Sequence, residues 1–440
     1  MAEAAPTVVI RGGSVVGPTG TTRADVVVAD GVIVAVGEDA RVPAGAVVLD
    51  AAGCLVSPGL VDLHTHLRQP GAEEAETVES GTRAAALGGF TAVVAMPNTD
   101  PPIDSAAVAE EVLALGRDQP CEVLVAGAIT LGRRGEELAP LRELAALGIR
   151  LFTDDGSGVQ SGAVMRRALE YARGLGVTLA EHCEDAELAA GGAMHDGAWS
   201  SRLGLPGIPA AAEEAMLARD LALVRQTGAP MHFLHLSTAG SVALLAAAKA
   251  EGLAVTAEVT PHHLALTHAA VCGYDPTFKV NPPLRTAEDT QALAAALADG
   301  TIDAIATDHA PHPPEAKDLP FDQAPPGMLG LETALSVSIR ALEGVLSPEA
   351  VLARLTSAPA AIARVSTAQR PAAFAQGGPI VVGAAGHLCV FDPEASFTVD
   401  AHRQASRSRN TPFAGTTLRG RVRHTVYAGF PVVIDAELQR

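Results

Sequence analysis

From Leu60 onward the chain alternates between two textures. Short apolar runs end in polar residues, and each is followed by an Ala-, Leu-, Glu- or Arg-rich stretch of helical period. The apolar runs predict strands at Gly59–His66, Thr91–Pro97, Glu122–Ile129, Ile149–Asp154, Val177–His182, Met231–Leu236, Ala254–Val259 and Ile302–Thr307. Helical periodicity is clearest over Thr77–Leu87, Ala106–Leu115, Ala163–Leu175 and Glu213–Gln226. Glycines 88, 148, 176, 228 and 252 punctuate the ends of helical stretches before the next strand. Eight such units predict an α/β fold with a parallel sheet, and eight is the number that closes a TIM (β/α)8 barrel. A doubly wound open sheet is the alternative reading of the same pattern.

The two ends of the chain read differently. Thr7–Ile10, Asp25–Val28, Val32–Val36 and Ala46–Leu49 are β-branched runs without helical period, and Asp30-Gly31 between two of them signals a hairpin. Beyond the barrel, Ser347–Arg364 predicts one or two extra helices. Gly377-Gly378-Pro379 then leads back to short strands at Leu388–Phe391, Ser396–Val399, Val422–Val426 and Pro431–Ile434. Neither end is long enough to bury a core alone, so the two are expected to pair into one small β-rich, sandwich-like domain. The expected division is residues 1–56 plus 373–440 for that domain and 57–372 for the barrel.

Composition narrows the partners. Lys and Arg number 31 against 50 Asp and Glu, a formal net charge of −19, which disfavours nucleic acid and anionic membrane surfaces. No apolar run approaches the roughly 20 residues that span a bilayer. The N-terminus lacks the basic and apolar regions of a signal peptide. Five scattered cysteines without a C-x-x-C pair fit a reducing cytoplasm and argue against a thiolate zinc site. The only lysines are Lys249, Lys279 and Lys317.

In a TIM barrel the chemistry sits at the C-terminal ends of the strands. Here those ends carry His64 and His66, Met96-Pro97-Asn98, Thr153-Asp154-Asp155-Gly156, Glu181-His182-Cys183-Glu184, His235, and Asp308-His309 with His312. His64 and His66 stand two residues apart, on one face of a strand, and Asp62 shares that face. Two imidazoles so placed can bind one metal through neutral ring nitrogens. Four histidines and two or more aspartates can hold two divalent ions if one carboxylate bridges them, a donor set that suits zinc, with manganese, cobalt or iron as chemically reasonable substitutes.

Larger segments carry a resemblance. They are Asp62-Leu63-His64-Thr65-His66-Leu67-Arg68-Gln69-Pro70-Gly71, Met96-Pro97-Asn98-Thr99, Phe152-Thr153-Asp154-Asp155-Gly156 and Glu181-His182-Cys183-Glu184-Asp185. They continue with His235-Leu236-Ser237-Thr238, Lys279-Val280-Asn281-Pro282-Pro283-Leu284-Arg285, Ala306-Thr307-Asp308-His309-Ala310-Pro311-His312 and Gly327-Met328-Leu329-Gly330-Leu331-Glu332-Thr333. In these segments, which run in family order over essentially the whole chain, the protein resembles the amidohydrolase superfamily and, within it, the bacterial class I dihydroorotases. Pro326 before Gly327 is a small departure, in a loop.

The resemblance implies that His64, His66 and Asp308 hold one metal, His182 and His235 the other, and that Asp155 bridges them, with Asp154 as the competing bridge. It implies zinc, one or two ions per subunit. Arg68, Asn98 and His312 would bind the substrate carboxylate, and Asn281 would contact the pyrimidine ring. Arg68 could instead pair with an acid such as Glu73. His262 and His263 read as structural. The implied reaction is the reversible cyclisation of N-carbamoyl-L-aspartate to L-dihydroorotate in pyrimidine synthesis, with Asp308 as the catalytic general acid and base. Relatives acting on hydantoins, dihydropyrimidines or allantoin bridge their metals with a carbamylated lysine after strand four, and this chain has no lysine before Lys249. Two other readings are a different cyclic amidohydrolase and a non-catalytic homologue serving as scaffold for aspartate carbamoyltransferase. The implied partners are a small-molecule substrate, a second copy of the chain, and aspartate carbamoyltransferase. The proline-rich stretch His312–Gly327 reads as a lid over the mouth or as a long connection.

Overall fold

The computed structural model describes residues 5–17, 20–38 and 40–439. Parallel strands form at Leu60–Thr65, Phe90–Ala95, Glu122–Val125, Leu151–Thr153, Thr178–Glu181, Met231–Phe233, Val255–Val259 and Ala304–Ile305. The first three pair in sequence order, and so do the last five. Two bridges join these sets: Gly127 with Phe152, and Thr65 with His309. The backbone N–H of Thr153 donates to Gly127 O at 2.8 Å and that of His66 to His309 O at 2.9 Å. The ring of strands is therefore closed. The fold is a (β/α)8 barrel, and the open-sheet alternative falls. Each strand is shorter than its apolar run, mostly because residues at its C-terminal end leave the ladder and enter the loops of the mouth.

Side chains alternate as a pleated strand requires. Ala92, Val94 and Met96 face the barrel interior together with Val61, Leu63, Ala126, Ala180, Leu234 and Ala304, whereas Val93 and Ala95 pack outward against the helices. Ala360, Ala363 and Val365, at and just after the helix Ser357–Ile362, complete the inner cluster. Helix boundaries follow capping chemistry. Thr77 and Ser80 form a capping box at the start of Val78–Leu87, as do Thr286 and Asp289 for Ala287–Asp299. Gly176 and Gly228, at φ of 67° and 65°, terminate their helices in the left-handed conformation.

The two chain ends meet in one nine-stranded sheet. Leu55–Pro58 pairs antiparallel with Leu388–Phe391, which stitches the N-terminal strands to the C-terminal ones. Cys389, Phe391 and Val422 join the outer barrel core, so the sheet is packed onto the barrel. Two features differ from the sequence expectation. Leu388–Phe391 and Ser396–Thr398 belong to a single strand, Leu388–Thr398, with Val399 just beyond it, and its register against Thr417–Tyr427 shifts between Asp392 and Ser396. Extra residues in one strand interrupt the period-2 pattern without ending the pairing. Between the fifth and sixth barrel strands, Met194–His195 pairs with Gly207–Ile208 around the helix Ala198–Leu203, an excursion too short to show a period. Among the described residues no helix is long and apolar enough to cross a membrane.

Candidate metal centre

The barrel mouth collects the histidines and aspartates into one buried cluster. His64 Nε2 lies 3.4 Å from Asp155 Oδ2 and 3.5 Å from Asp308 Oδ1. His66 Nε2 lies 3.5 Å and 3.0 Å from the same two atoms. Across Asp155, His182 Nδ1 and His235 Nε2 each stand 3.6 Å from Oδ1 and 2.9 Å from one another. Asp155 thus turns one oxygen to His64 and His66 and the other to His182 and His235. All six side chains are buried. His235 and Asp308 adopt positive φ, 28° and 45°, a conformation that non-glycine residues reach at a cost and that gathers at functional sites.

The distances around Asp155 fit a metal centre better than a hydrogen-bond network, whereas His66–Asp308 and His182–His235 are within hydrogen-bond range. Separations of 3.4–3.6 Å are long for hydrogen bonds. They match the roughly 3.4 Å edge of a tetrahedron whose centre lies about 2.1 Å from nitrogen and oxygen ligands. Among the described residues His64 Nε2, which faces Asp155, is buried without a hydrogen-bond partner, as are the remote nitrogens His182 Nε2 and His235 Nδ1. The residues divide into two overlapping ligand groups: His64, His66 and Asp155, and Asp155, His182 and His235. Asp308 lies against the first.

Neighbouring residues decide which nitrogen faces the cluster. His64 Nδ1 is 3.0 Å from Glu258 Oε1 and His66 Nδ1 is 2.8 Å from Asn98 Oδ1. Both acceptors place the ring proton on Nδ1 and leave Nε2 as the ligand atom. Glu258 also meets His232 Nε2 at 3.0 Å through Oε2. Burial works to raise its carboxyl, but hydrogen bonds from His232 and His64 bring it down to about 2. At Asp155 burial is likewise overcome, by the imidazoles of His64, His182 and His235 around it, and the carboxyl is held well below its usual range. Asp308 is lowered against burial chiefly by His64 and His66.

Asp154 faces elsewhere. It accepts from the backbone N–H of Ile129 at 2.8 Å and of Thr130 at 3.0 Å, and from the Thr130 hydroxyl. Asp62 also works as a brace. Its carboxylate accepts from the Thr307 backbone at 2.8 Å, the Thr307 hydroxyl at 2.6 Å and the Thr65 hydroxyl, tying the first strand to the segment after the eighth.

The expected substrate residues surround the cluster with their own attachments. Arg68 sits at φ 58°, donates from Nε to Pro311 O at 3.2 Å, and has no ion pair among the described residues. Glu73 instead accepts from Gly71 N, so the alternative Arg68–Glu73 pairing is not formed. His312 Nε2 is 2.8 Å from Pro326 O. Burial, then Arg68 and Lys317, push its imidazole down to about 3. Asn281 donates from Nδ2 to Glu184 Oε1 at 3.1 Å. His263 is structural, its ring spanning Thr260 Oγ1 at 2.8 Å and Pro282 O at 3.0 Å. His262 is buried beside it, with Nε2 lacking a partner. The loop after His312 includes a short helix, Pro314–Lys317, whose Lys317 ammonium donates to Pro276 O at 3.0 Å and Pro325 O at 2.8 Å.

Sequence reasoning missed Glu258, His232 and the Glu76–His309 pair (3.2 Å). The signal for Glu258 was present: one carboxylate inside the otherwise uncharged strand Val255–Val259. A buried charge on a strand implies a partner.

Comparison with known proteins shows what the chain is similar to. A family model described as dihydro-orotase-like matches residues 53–241. A protein named dihydroorotase from Pelotomaculum thermopropionicum is 48% identical, over 97% of this chain and 98% of the relative. One from Mycobacterium tuberculosis is 46% identical over 95% of this chain and 96% of its own length. Among solved structures, an L-hydantoinase (dihydropyrimidinase) from Arthrobacter aurescens superposes with a TM-score of 0.87 at 26% identity, covering 98% of this chain and 97% of that one.

Proposed function

The chain belongs to the dihydroorotase family, and from that premise we propose how its barrel mouth carries out the reaction. It is a metal-dependent cyclic amide hydrolase that interconverts N-carbamoyl-L-aspartate and L-dihydroorotate in pyrimidine biosynthesis. The observation that carries the mechanistic reading is the two-sided placement of Asp155 between His64 with His66 and His182 with His235. Those five residues and Asp308 are proposed to hold zinc, one or two ions. When bound, the metal lowers the pKa of water from about 15.7 to near 7 and polarises a carbonyl oxygen.

The chain's own groups do the rest. Asp308 accepts the proton of the attacking water as oxygen bonds to the ring amide carbon. It then delivers that proton to the ring nitrogen as the C–N bond breaks. Cyclisation is the reverse. Asp308 carries its charge before the reaction begins, so it starts as the base. Arg68 is proposed to take the substrate carboxylate. It is a guanidinium without a carboxylate partner at a mouth lined with acids, and two parallel hydrogen bonds to a carboxylate are its best use. Asn98 and His312 assist it, and Asn281 meets the ring.

Retention of the full ligand set favours a catalyst over a scaffold. The aspartate after strand four favours dihydroorotate over hydantoin or dihydrouracil. Residues 1–56 plus 373–440 and 57–372 are the proposed domains. The cytoplasm is the proposed compartment, supported by five unpaired cysteines. Self-association and a complex with aspartate carbamoyltransferase are proposed from the resemblance. The decisive experiment is a dihydroorotate hydrolysis assay with metal analysis of the same preparation, using dihydrouracil and hydantoin as competing substrates. Faster turnover of either competitor overturns the substrate assignment.

A further inference from the structure

We propose that Glu184 is a positioning residue that fixes the polarity of Asn281, so that Asn281 presents a hydrogen-bond acceptor, and not a donor, to a ureide N–H of the substrate. The inference rests on the substrate class proposed above and adds the orientation of one group within it. Glu184 lies two residues beyond His182, and its backbone is held on several sides. Its N–H meets His182 O at 3.0 Å and the Met216 sulfur at 3.2 Å, and its carbonyl accepts from Gln160 Nε2 at 3.0 Å. Its Oε1 is 3.1 Å from Asn281 Nδ2.

An ionised carboxylate has only acceptors, whereas a primary amide has one face of each kind. Glu184 therefore selects the NH2 face of Asn281 and turns its oxygen the other way. That oxygen is buried and has no donor among the described residues. Buried carbonyl oxygens are nearly always paired, so this one calls for a donor from outside the chain. Dihydroorotate and N-carbamoylaspartate both carry ureide N–H groups, and an acceptor fixed in advance discriminates against an analogue with no hydrogen to give.

The test exchanges the two ends of the pair. In Glu184→Gln the partner offers both a donor and an acceptor, and Asn281 is free to turn over. The expected loss in kcat/KM for dihydroorotate is about tenfold, carried mainly by KM. Asn281→Asp sets two carboxylates against each other and should lose more. The double variant Glu184→Gln/Asn281→Asp restores a donor on 184 and an acceptor facing the substrate at unchanged total charge. It should recover to within about threefold of wild type. Metal content and the melting temperature of each variant show whether the cluster and the fold are intact. An unaffected Glu184→Gln variant, or a double variant no better than the worse single, overturns the proposal. If the wild type prefers another cyclic ureide, the substrate assignment fails by itself, and the same exchange measured on that ureide still tests the polarity.

Discussion

The two halves of the metal cluster share Asp155 but are braced differently. On the side of His64 and His66, each ring has an acceptor behind it: Glu258 at 3.0 Å for His64 and Asn98 at 2.8 Å for His66. On the other side the remote nitrogens, His182 Nε2 and His235 Nδ1, are buried without a partner among the described residues. An acceptor behind a ligating imidazole fixes its tautomer and orientation and raises its basicity. The first half is thus organised by the protein before any ion arrives. The second depends on the strand ends and on Asp155. If the cluster holds metal as proposed, the tighter site is expected at His64, His66 and Asp308, and the weaker one at His182 and His235.

The largest effect is expected where the halves meet. Asp155→Ala removes an oxygen from both sides, so turnover should vanish and at least one equivalent of metal should be lost. Asp154→Ala is the control. It strips acceptors from the N–H groups of Ile129 and Thr130, each left unsatisfied at about 1–3 kcal/mol. Its melting temperature should fall by several degrees while its metal stays. Metal analysis and thermal melts of the two variants settle this, and loss of metal from the Asp154 variant alone would reverse the assignment.

Asp308 touches only the first half. Asp308→Asn keeps an oxygen for the ion and removes the proton acceptor, so kcat should fall by about 10²–10⁴-fold. Metal content should drop less than in His64→Ala. Near-normal turnover would remove Asp308 from the proton pathway.

How much of this was legible in the sequence depended on the range of the signal. Strands and helices rest on local period, so Ala106–Leu115 coincides with its helix, and every barrel strand begins within two residues of its apolar run. The clustering of His64, His66, Asp155, His182, His235 and Asp308 was legible because barrel topology brings strand ends together whatever lies between them. The choice between Asp154 and Asp155 is one of side-chain direction, which adjacent residues share almost nothing of in a strand-end turn. Glu258 acts across 194 residues on His64, and Glu76 reaches Ser406 in the C-terminal segment. No local pattern encodes pairs of that separation.

Substrate choice gives the next effect. Arg68→Met should lower kcat/KM for dihydroorotate by roughly 30-fold or more, since loss of one partner of a buried charge pair costs about 2–5 kcal/mol. Trace activity on dihydrouracil, which lacks the carboxylate, should change much less. Equal losses on both substrates would mean that Arg68 supports the loop around Pro311 instead of reading charge.

The smallest expected effect sharpens the comparison most. Glu258→Gln keeps the shape of the brace, but replaces a carboxylate shared by His64 and His232 with a neutral amide. The gain in basicity at His64 should largely disappear while the ring stays in place. Partners of this kind are worth about 10–100-fold in metal affinity, and the amide retains part of that, so about tenfold is expected. The loss should fall on the tighter site alone. In a titration with a competing chelator, the wild type should release metal in two phases, and the variant should move the later phase toward the earlier one. If the earlier phase moves instead, Glu258 reaches the second half through Asp155. The two halves would then be one coupled centre and not a strong site beside a weak one.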